Sequence, residues 1–176
     1  EKRLDIVTRE EGSGFGASHT MENSFSSFAV SQFAKHLGKE DDYKLLSNLS
    51  NGWKNLYDPE TRLIRPKDTK GNFLEDFNPL APWKGFQEGN AVQYTFYVPH
   101  QIDELVDLVG QETFNNRLDS IFLLSQKNIF GGGKEVEAFA GLKTVYNHGN
   151  QPNLHISWLF NFSGKPYQTQ KWVRAI

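Results

Sequence analysis

The sequence predicts a mainly α-helical fold of antiparallel helix pairs, either a helical array or part of an (α/α)6 toroid, with a small β-hairpin inserted between helices. Three observations support this fold class. Apolar residues recur every three or four positions through most of the chain. Glycine or proline separates the periodic segments. Neither a sequence repeat of fixed period nor a low-complexity tract is present.

Two helices that form a hairpin are predicted from the segments TMENSFSSFAVSQFAKHLGKE and EDDYKLLSNLSNGWKNLYD. Thr20 can cap the first helix, and Gly38 stands where a C-terminal glycine is typical. The acidic residues that open the second segment suit a helix N-terminus. The apolar residues that repeat with helical spacing are Met21, Phe25, Phe28, Ala29, Phe33 and Leu37, then Tyr43, Leu46, Leu49, Trp53 and Leu56.

The helical period stops between residues 58 and 80, where apolar stretches at 63–65 and 73–74 flank the turn KDTKGN. This pattern predicts a small β-hairpin. The segment SQKNIFGGGKEVEAFAGLKTVYNHG is predicted to be a long loop. Further helices are predicted at 90–98, 102–109, 112–124, 153–162 and from 167 to the end.

The helix count indicates an incomplete domain. A closed toroid of about twelve helices needs roughly twice this chain. The chain opens on Glu1 without an initiator methionine or a signal-like segment, and the closing KWVRAI has the pattern of the middle of a helix. We therefore expect one partial domain over residues 1–176, from a processed product or a fragment.

Composition excludes several classes of function. The hydrophobic content of 38% argues against disorder, and the net charge of -2 gives no basic field for nucleic acid. No apolar stretch is long enough to span a membrane. The absence of cysteine removes disulfides, thiolate catalysis and cysteine-bound zinc, and it leaves secreted and cytosolic locations open. The histidines lack the spacing of a zinc hydrolase.

The segment GFQEGNAVQYTFYVPH contains the strongest candidate for an acid, Glu88. Aromatic neighbours at Trp83, Phe86 and Tyr94 can desolvate its carboxyl and raise its pKa, which suits a general acid. Gly89 lets the backbone approach a ligand. The alternative, favoured by the local pattern alone, is that Glu88 satisfies N–H groups at the start of the next helix.

A second polar cluster lies in YNHGNQPNLHISW. His148, Asn150, Gln151 and His155 bring imidazole and amide groups to a helix start, where they can bind sugar hydroxyls or a hard cation. The alternative is that Asn150 caps the helix that Pro152 begins and that the histidines pack in the interior.

Four ordered segments resemble the catalytic domain of glycoside hydrolase family ninety-two, the calcium-dependent exo-acting α-mannosidases. SHTMENSF is similar to the family's S-x-T-L-E-Y-A-Y, and LGKEDDYKLLSNLSNGWKNLYDPETRLIRPKDTKGNF follows its helix pair and hairpin. GFQEGNAVQYTFYVPH is similar to G-[FY]-x-E-G-N-A-W-Q-Y-T-[WF]-x-V-P-H-D. YNHGNQPNLHISWLFNFSGKPYQTQKWVRAI is similar to Y-x-H-G-N-E-P-x-H-H-I-x-Y-L-[YF]-N-x-x-G-x-P-W-x-T-Q.

The resemblance implies an inverting hydrolase of terminal α-mannosides, with Glu88 as the general acid and a separate carboxylate about 6.5–9.5 Å away as the base. It implies a bound Ca²⁺, with Asn150 and Gln151 as candidate ligands. The implied partners are a mannose-containing glycan and the remainder of the catalytic domain. We expect the parent protein to be secreted, periplasmic or at the cell surface. The candidate substrate-binding residues are Asn90, Gln93, His100, His148 and Gln151.

The sequence departs from the family pattern at several positions. Gln151 stands in place of the commoner Glu, Gln101 of an Asp and Val92 of a Trp, and Ser26 with Ser27 replaces an acidic pair. The family's base-bearing G-N-D-D-x-G-x-x-S-x-W-Y motif is not in the sequence, and its expected place lies beyond residue 176. A non-catalytic helical carbohydrate-binding or scaffold module is therefore the alternative to an enzyme.

Overall fold

A computed structural model describes residues 14–126 and 140–176 of the chain. Its helices are α1 (Gly16–His36), α2 (Glu40–Leu49), α3 (Ala91–Tyr94), α4 (Ile102–Val109), α5 (Gln111–Gln126) and α6 (Pro166–Ala175). The strands β1 (Tyr57–Asp58) and β2 (Leu63–Ile64) form a small antiparallel sheet. Short 3₁₀ helices occupy Gly52–Leu56, Ala140–Lys143, Gln151–Asn153 and Ile156–Asn161. None of the helices in these ranges is long and apolar enough to cross a membrane.

The start of α1 is held by a distant loop. The carbonyl of Gly85 accepts the N–H groups of Ala17 at 3.0 Å and Ser18 at 3.2 Å, so the loop satisfies donors that a helix start leaves free. The helix therefore begins at Gly16, and Thr20 lies inside it, where Oγ1 donates to the Gly16 carbonyl at 3.0 Å. The prediction that Thr20 caps α1 is wrong.

Small residues, and not the predicted aromatic ones, form the buried face of α1. The buried residues are Gly16, Ala17, Ser18, Thr20, Met21, Ser24, Ser31 and Ala34. The hydroxyls of Thr20, Ser24 and Ser31 bond within the helix, as where Ser24 Oγ donates to the Thr20 carbonyl at 2.7 Å. Val30, Phe33 and Leu37 are 51%, 63% and 55% exposed, and we call them the outer stripe of α1. Of the apolar residues predicted to repeat along α1, Met21 is therefore the one that is buried.

The hairpin of α1 and α2 is formed as predicted, and Gly38 turns the chain with a φ of +69°. The second helix is shorter than predicted. Ser50 Oγ and Asn51 Nδ2 both donate to the Ser47 carbonyl, at 2.7 Å and 2.9 Å. These side-chain bonds compete with the helical backbone pattern. The chain continues as a 3₁₀ helix that places Trp53 in the core with 0% exposure.

The β-hairpin pairs β1 with β2, so the predicted pairing of 63–65 with 73–74 is wrong. At the predicted turn KDTKGN, Lys67 and Phe73 form an isolated antiparallel bridge. The turn of the hairpin is organised by the Asp58 carboxylate, which accepts the N–H of Glu60 at 3.0 Å and the hydroxyl of Thr61 at 2.9 Å. A side-chain turn between two-residue strands leaves no periodic pattern in the sequence.

Of the helices predicted after the hairpin, those at 102–109, 112–124 and from 167 are formed as α4, α5 and α6, and the other two differ from the prediction. In place of a helix over 90–98, α3 ends at Tyr94, and Thr95 ties the chain to β2 by accepting the N–H of Ile64 at 2.9 Å. In place of a helix over 153–162, the chain forms 3₁₀ helices. Most of the predicted long loop, residues 127–139, lies outside the described residues.

Aromatic packing joins α5, α6 and the segment after residue 140. The ring of Phe122 lies 4.8 Å from Tyr146 in a T-shaped arrangement and 5.2 Å from Trp172 in a stacked one. Trp172 Nε1 also donates to Asp119 Oδ1 at 2.7 Å. These contacts pack α6 and the segment around Tyr146 against α5.

Candidate active site

Residues 85–90 form a loop that we call the acid loop, and Gly85 fixes its start. The N–H of Gly85 donates to the Gly14 carbonyl at 2.9 Å, while its own carbonyl caps α1. Its φ is +85°, and a Cβ here would lie 2.4 Å from Pro66 Cγ. Glycine adopts this φ without strain and avoids the clash with Pro66, which no other residue can do. Gly85 therefore fixes the direction of the backbone at the start of the acid loop.

The middle of the acid loop is held at Gln87 from two sides. The N–H of Gln87 donates to Ser18 Oγ at 2.8 Å, and the hydroxyl of Tyr94 donates to the Gln87 carbonyl at 2.8 Å. Ser18 lies on α1 and Tyr94 on α3. Both helices therefore fix the residue that precedes Glu88.

Glu88 itself adopts a left-handed backbone with a φ of +53°. Such a conformation is unfavourable for a residue with a Cβ, and it persists where the surroundings impose it. Gly89 provides the room, because a Cβ there would lie 2.8 Å from Gln93 Oε1 and 2.9 Å from Tyr94 Cε2. The cap of α3 is Asn90, whose side chain accepts the N–H of Gln93 at 3.2 Å. Glu88 is therefore not the capping residue of this helix.

Asn150, in the motif YNHGNQPNLHISW, contacts the motif GFQEGNAVQYTFYVPH, which contains Glu88. Its Nδ2 donates to the Glu88 carbonyl at 2.7 Å, although the two residues are far apart in sequence. Asn150 makes no capping hydrogen bond to the 3₁₀ helix Gln151–Asn153. The alternative in which Asn150 acts as a helix cap is thus not what the structure has.

The two motifs and α1 enclose a cleft of about 310 Å³. The lining residues are Ser18, His19, Glu22, Gln87, Glu88, Tyr94, Asn150, Gln151 and Pro152. Three predicted site residues, Glu88, Asn150 and Gln151, are therefore brought together. The side chain of Glu88 is exposed here, so the predicted desolvation by its aromatic neighbours does not arise from the described residues.

Six cleft residues were not among the predicted site residues, namely Ser18, His19, Glu22, Gln87, Tyr94 and Pro152. Glu22 is a second carboxylate in the cleft, and its Oε2 accepts the hydroxyl of Tyr97 at 3.0 Å. The signal for it was present, because Glu22 stands in SHTMENSF, one of the recognised segments. The helical period alone gave no reason to place that segment opposite Glu88.

Two tyrosines keep their protons beside these carboxylates. Burial raises the pKa of the Tyr97 hydroxyl, and the charge of Glu22 raises it further. Burial also raises the pKa of Tyr94, with added contributions from the charges of Glu22 and Glu88. Both hydroxyls therefore remain neutral hydrogen-bond donors at physiological pH.

Asn90 and Gln93 lie behind the cleft and do not line it. Both are 0% exposed. Asn90 Nδ2 donates to the carbonyls of Leu142 and Thr144, at 3.1 Å and 2.9 Å, and Gln93 Nε2 donates to those of Gly141 and Thr144, at 2.9 Å and 2.7 Å. These two amides hold the segment 141–144, which leads into the motif YNHGNQPNLHISW.

The predicted histidines are not part of the cleft lining. His100 Nε2 lies 3.0 Å from the Ser50 carbonyl, and burial lowers the pKa of this imidazole. His148 Nδ1 lies 2.6 Å from the Tyr146 hydroxyl and borders a separate pocket of about 390 Å³ beside Trp158. Burial lowers its pKa as well.

Gln101, one of the departures from the family pattern, has a structural role. Its Oε1 accepts Trp53 Nε1 at 2.6 Å, and its Nε2 donates to Asn51 Oδ1 at 3.0 Å. An aspartate could accept from Trp53 but could not donate to Asn51. The neutral amide therefore suits a position that must do both.

Two amide side chains of the cleft, those of Asn150 and Gln151, can be compared with the ligands that Ca²⁺ requires. Within residues 14–126 and 140–176, no three His, Asp or Glu side chains come together as a metal-binding group. Asn150 commits its Nδ2 to Glu88, so its oxygen is the atom it can offer, and Gln151 has an exposed amide beside it. Amide oxygens fit the chemistry of Ca²⁺, but two of them cover only part of the roughly six to eight positions that it requires.

The sequence model of the glycosyl hydrolase family 92 catalytic domain matches residues 3–176. The chain belongs to this family. The resemblance found in the four segments is therefore confirmed. A search among curated proteins found no match.

Solved structures of family 92 members are similar to the chain. An α-mannosidase of Bacteroides thetaiotaomicron is 33% identical with a TM-score of 0.82, and the match covers 98% of this chain and 22% of that one. Its complex with mannoimidazole gives 31%, 0.83, 97% and 23% for the same quantities. An inverting mannosidase of Bacteroides thetaiotaomicron VPI-5482 gives 29%, 0.81, 98% and 24%. The predicted fold class, part of a helical toroid with a small hairpin, is confirmed, and the chain spans less than a quarter of these enzymes.

Proposed function

We propose that the chain is the acid-bearing part of an exo-acting α-mannosidase, which hydrolyses terminal α-mannosidic linkages of glycans with inversion, and that Glu88 is its general acid. One observation carries the proposal. A carboxylate on a strained, left-handed backbone lines a polar cleft formed by three of the recognised segments. Strained residues with a free functional group are typical of working sites.

In this mechanism Glu88 donates its proton to the leaving-group oxygen of the mannoside. A second carboxylate, outside the described residues, removes a proton from the attacking water at a distance of about 6.5–9.5 Å from the acid. Glu22, fixed by Tyr97, and the amide of Gln151 offer hydrogen-bond acceptors to sugar hydroxyls at the same cleft. In this proposal the sugar and the rest of the domain cover the side chain of Glu88, which is exposed among the described residues.

The remainder of the catalytic domain is the macromolecular partner in this proposal. The outer stripe of α1 leaves Val30, Phe33 and Leu37 exposed, and α5 leaves Leu123 and Leu124 exposed at 52% and 65%. Apolar surface of this kind is ordinarily buried against another element. In the α-mannosidase of Bacteroides thetaiotaomicron, the part outside the match is more than three times as long as this chain, and elements of this kind can come from there.

The stereochemistry of the product tests the function. The full-length protein is incubated with the methyl α-glycoside of an α-linked mannobiose, whose leaving sugar keeps a fixed anomer, and the anomeric proton signals of free mannose are followed by NMR from the first turnovers. Because inversion converts an α-linkage into a β-product, β-mannose is expected first and α-mannose only after mutarotation. An initial α-signal would contradict inversion. Sugar binding without any release of mannose would favour the non-catalytic module.

Calcium is proposed as the metal, held in part by the side-chain oxygens of Asn150 and Gln151. When bound, it would polarise and orient two hydroxyls of the sugar. Chelation with EDTA is expected to abolish mannose release, and added Ca²⁺ to restore it. The control is Mg²⁺, which demands a smaller octahedral site and is expected to restore less activity. Full activity in excess chelator would contradict the proposal.

A further inference from the structure

We propose that Asn150 is a positioning residue for Glu88, one that fixes the backbone of the acid so that its carboxylate stays in the cleft. The inference rests on the proposed role of Glu88 as the acid. It concerns a different atom of Asn150 from the one offered to calcium, because the amide nitrogen donates to the acid loop and the amide oxygen is the proposed calcium ligand.

The hydrogen bond from Asn150 is made to a different residue of the acid loop from the other contacts. Ser18 and Tyr94 hold the N–H and the carbonyl of Gln87, and the side chain of Asn90 caps α3. Among the described residues, the bond from Asn150 Nδ2, at 2.7 Å, is the hydrogen bond made by Glu88 itself. It therefore acts at the residue whose φ of +53° is unfavourable.

Asn150 is well placed to impose a conformation. It is 5% exposed, so its bond to the Glu88 carbonyl competes little with water. Its own backbone is held on both sides, since its N–H donates to the Asn147 carbonyl at 3.2 Å and its carbonyl accepts the N–H of Asn153 at 2.9 Å. A rigid donor that meets a strained residue can select one orientation of the peptide that follows that residue.

The peptide orientation decides where the side chain points. If the Glu88 carbonyl is released, the residue can relax toward negative φ, and rotation about the backbone turns the Cα–Cβ bond away from the cleft. A small displacement of a catalytic group has a large kinetic effect, on the order of 10²-fold for about 1 Å. Glu88 would then keep its chemistry but lose its position.

The substitution Asn150→Asp separates this role from calcium binding. It keeps the oxygen and adds negative charge, which favours a calcium ligand. It removes the NH₂ donor and places an oxygen against the carbonyl oxygen of Glu88. A residue that served only the metal would tolerate this change, whereas a residue that positions the acid would not.

The expected result is a kcat for α-linked mannobiose that falls by roughly 10²-fold, with KM nearly unchanged. With 2,4-dinitrophenyl α-mannoside, whose leaving group needs no proton, the loss is expected to be below about tenfold. Calcium affinity of the unliganded protein, measured by calorimetry, is expected to be equal or tighter. Asn147→Asp is the matched control, because among the described residues Asn147 Oδ1 accepts the Gly149 N–H, at 3.2 Å, and an aspartate can still do so.

Several outcomes would overturn the inference. They are wild-type kcat on mannobiose, weakened calcium binding in step with the loss of activity, or equal losses on both substrates. Should Asn150→Asp not fold, Asn150→Ala removes the donor without adding charge and must show the same dependence on the leaving group. Glu88→Gln, measured beside these variants, keeps the two proposals apart. If it shows no dependence on the leaving group, the acid assignment fails, and if it alone shows that dependence, only the role of Asn150 fails.

Discussion

Replacing Glu88 with glutamine in the full-length protein is expected to lower the release of mannose from α-linked mannobiose by about 10²–10⁴-fold. The amide has nearly the same shape as the carboxyl, but it cannot give a proton to the departing oxygen. The fold is expected to survive, because the side chain of Glu88 is exposed and the contacts that hold the acid loop involve the backbone and other residues.

The measurement is the rate of mannose release under saturating substrate, together with the thermal unfolding midpoint of each variant. Glu60→Gln is the matched control, since Glu60 is an exposed glutamate in the turn of the β-hairpin and contributes only its backbone N–H to the turn. Turnover like that of the unmodified protein in the Glu88 variant would remove Glu88 from the chemistry. Equal losses in both variants would indicate a general effect of lost charge.

Trp53→Ala is expected to produce the largest loss of stability, about 3–5 kcal/mol in the free energy of unfolding. Trp53 has 0% exposure, so its removal leaves a cavity in the core. It also leaves Gln101 Oε1 without the indole N–H that it accepts at 2.6 Å. A loss of this size is a large part of the stability of a typical domain.

Urea unfolding of the full-length protein, followed by fluorescence and circular dichroism, gives the free energy of each variant. Trp158→Ala is the control, because Trp158 is 54% exposed and its removal opens no interior cavity. Trp53→Phe separates the two causes, since it fills most of the volume and loses only the bond to Gln101. A loss below about 1 kcal/mol for Trp53→Ala would contradict the packing of the 3₁₀ helix against the core.

The sequence was sufficient for the class of fold and for the segments that form the site. Helical periodicity predicted the α1–α2 hairpin, and Gly38 ends α1 as expected. Periodicity could not identify which face of α1 is buried. The face that looks apolar carries Phe33 and Leu37, which stay exposed, whereas the buried face carries small residues, several of whose hydroxyls bond within the helix.

The site was predicted less completely because its geometry depends on contacts between distant segments. Glu88 and Asn150 were found as candidates in separate motifs, but their contact at 2.7 Å joins residues that no local pattern relates. Asn90 and Gln93 stand in the same motif as Glu88, yet their side chains turn to the segment 141–144. Their position in the motif therefore made them candidates, but it did not predict which residues line the cleft.

The left-handed backbone at Glu88 has a consequence for sequence change over time. A glycine at this position would be favoured by roughly 1–2 kcal/mol in backbone energy, and asparagine or aspartate would also be tolerated better than glutamate. In a lineage that had no use for this carboxylate, random substitution would gain stability by discarding it. The proposed role of Glu88 as the general acid would account for a glutamate at a position where folding alone favours glycine.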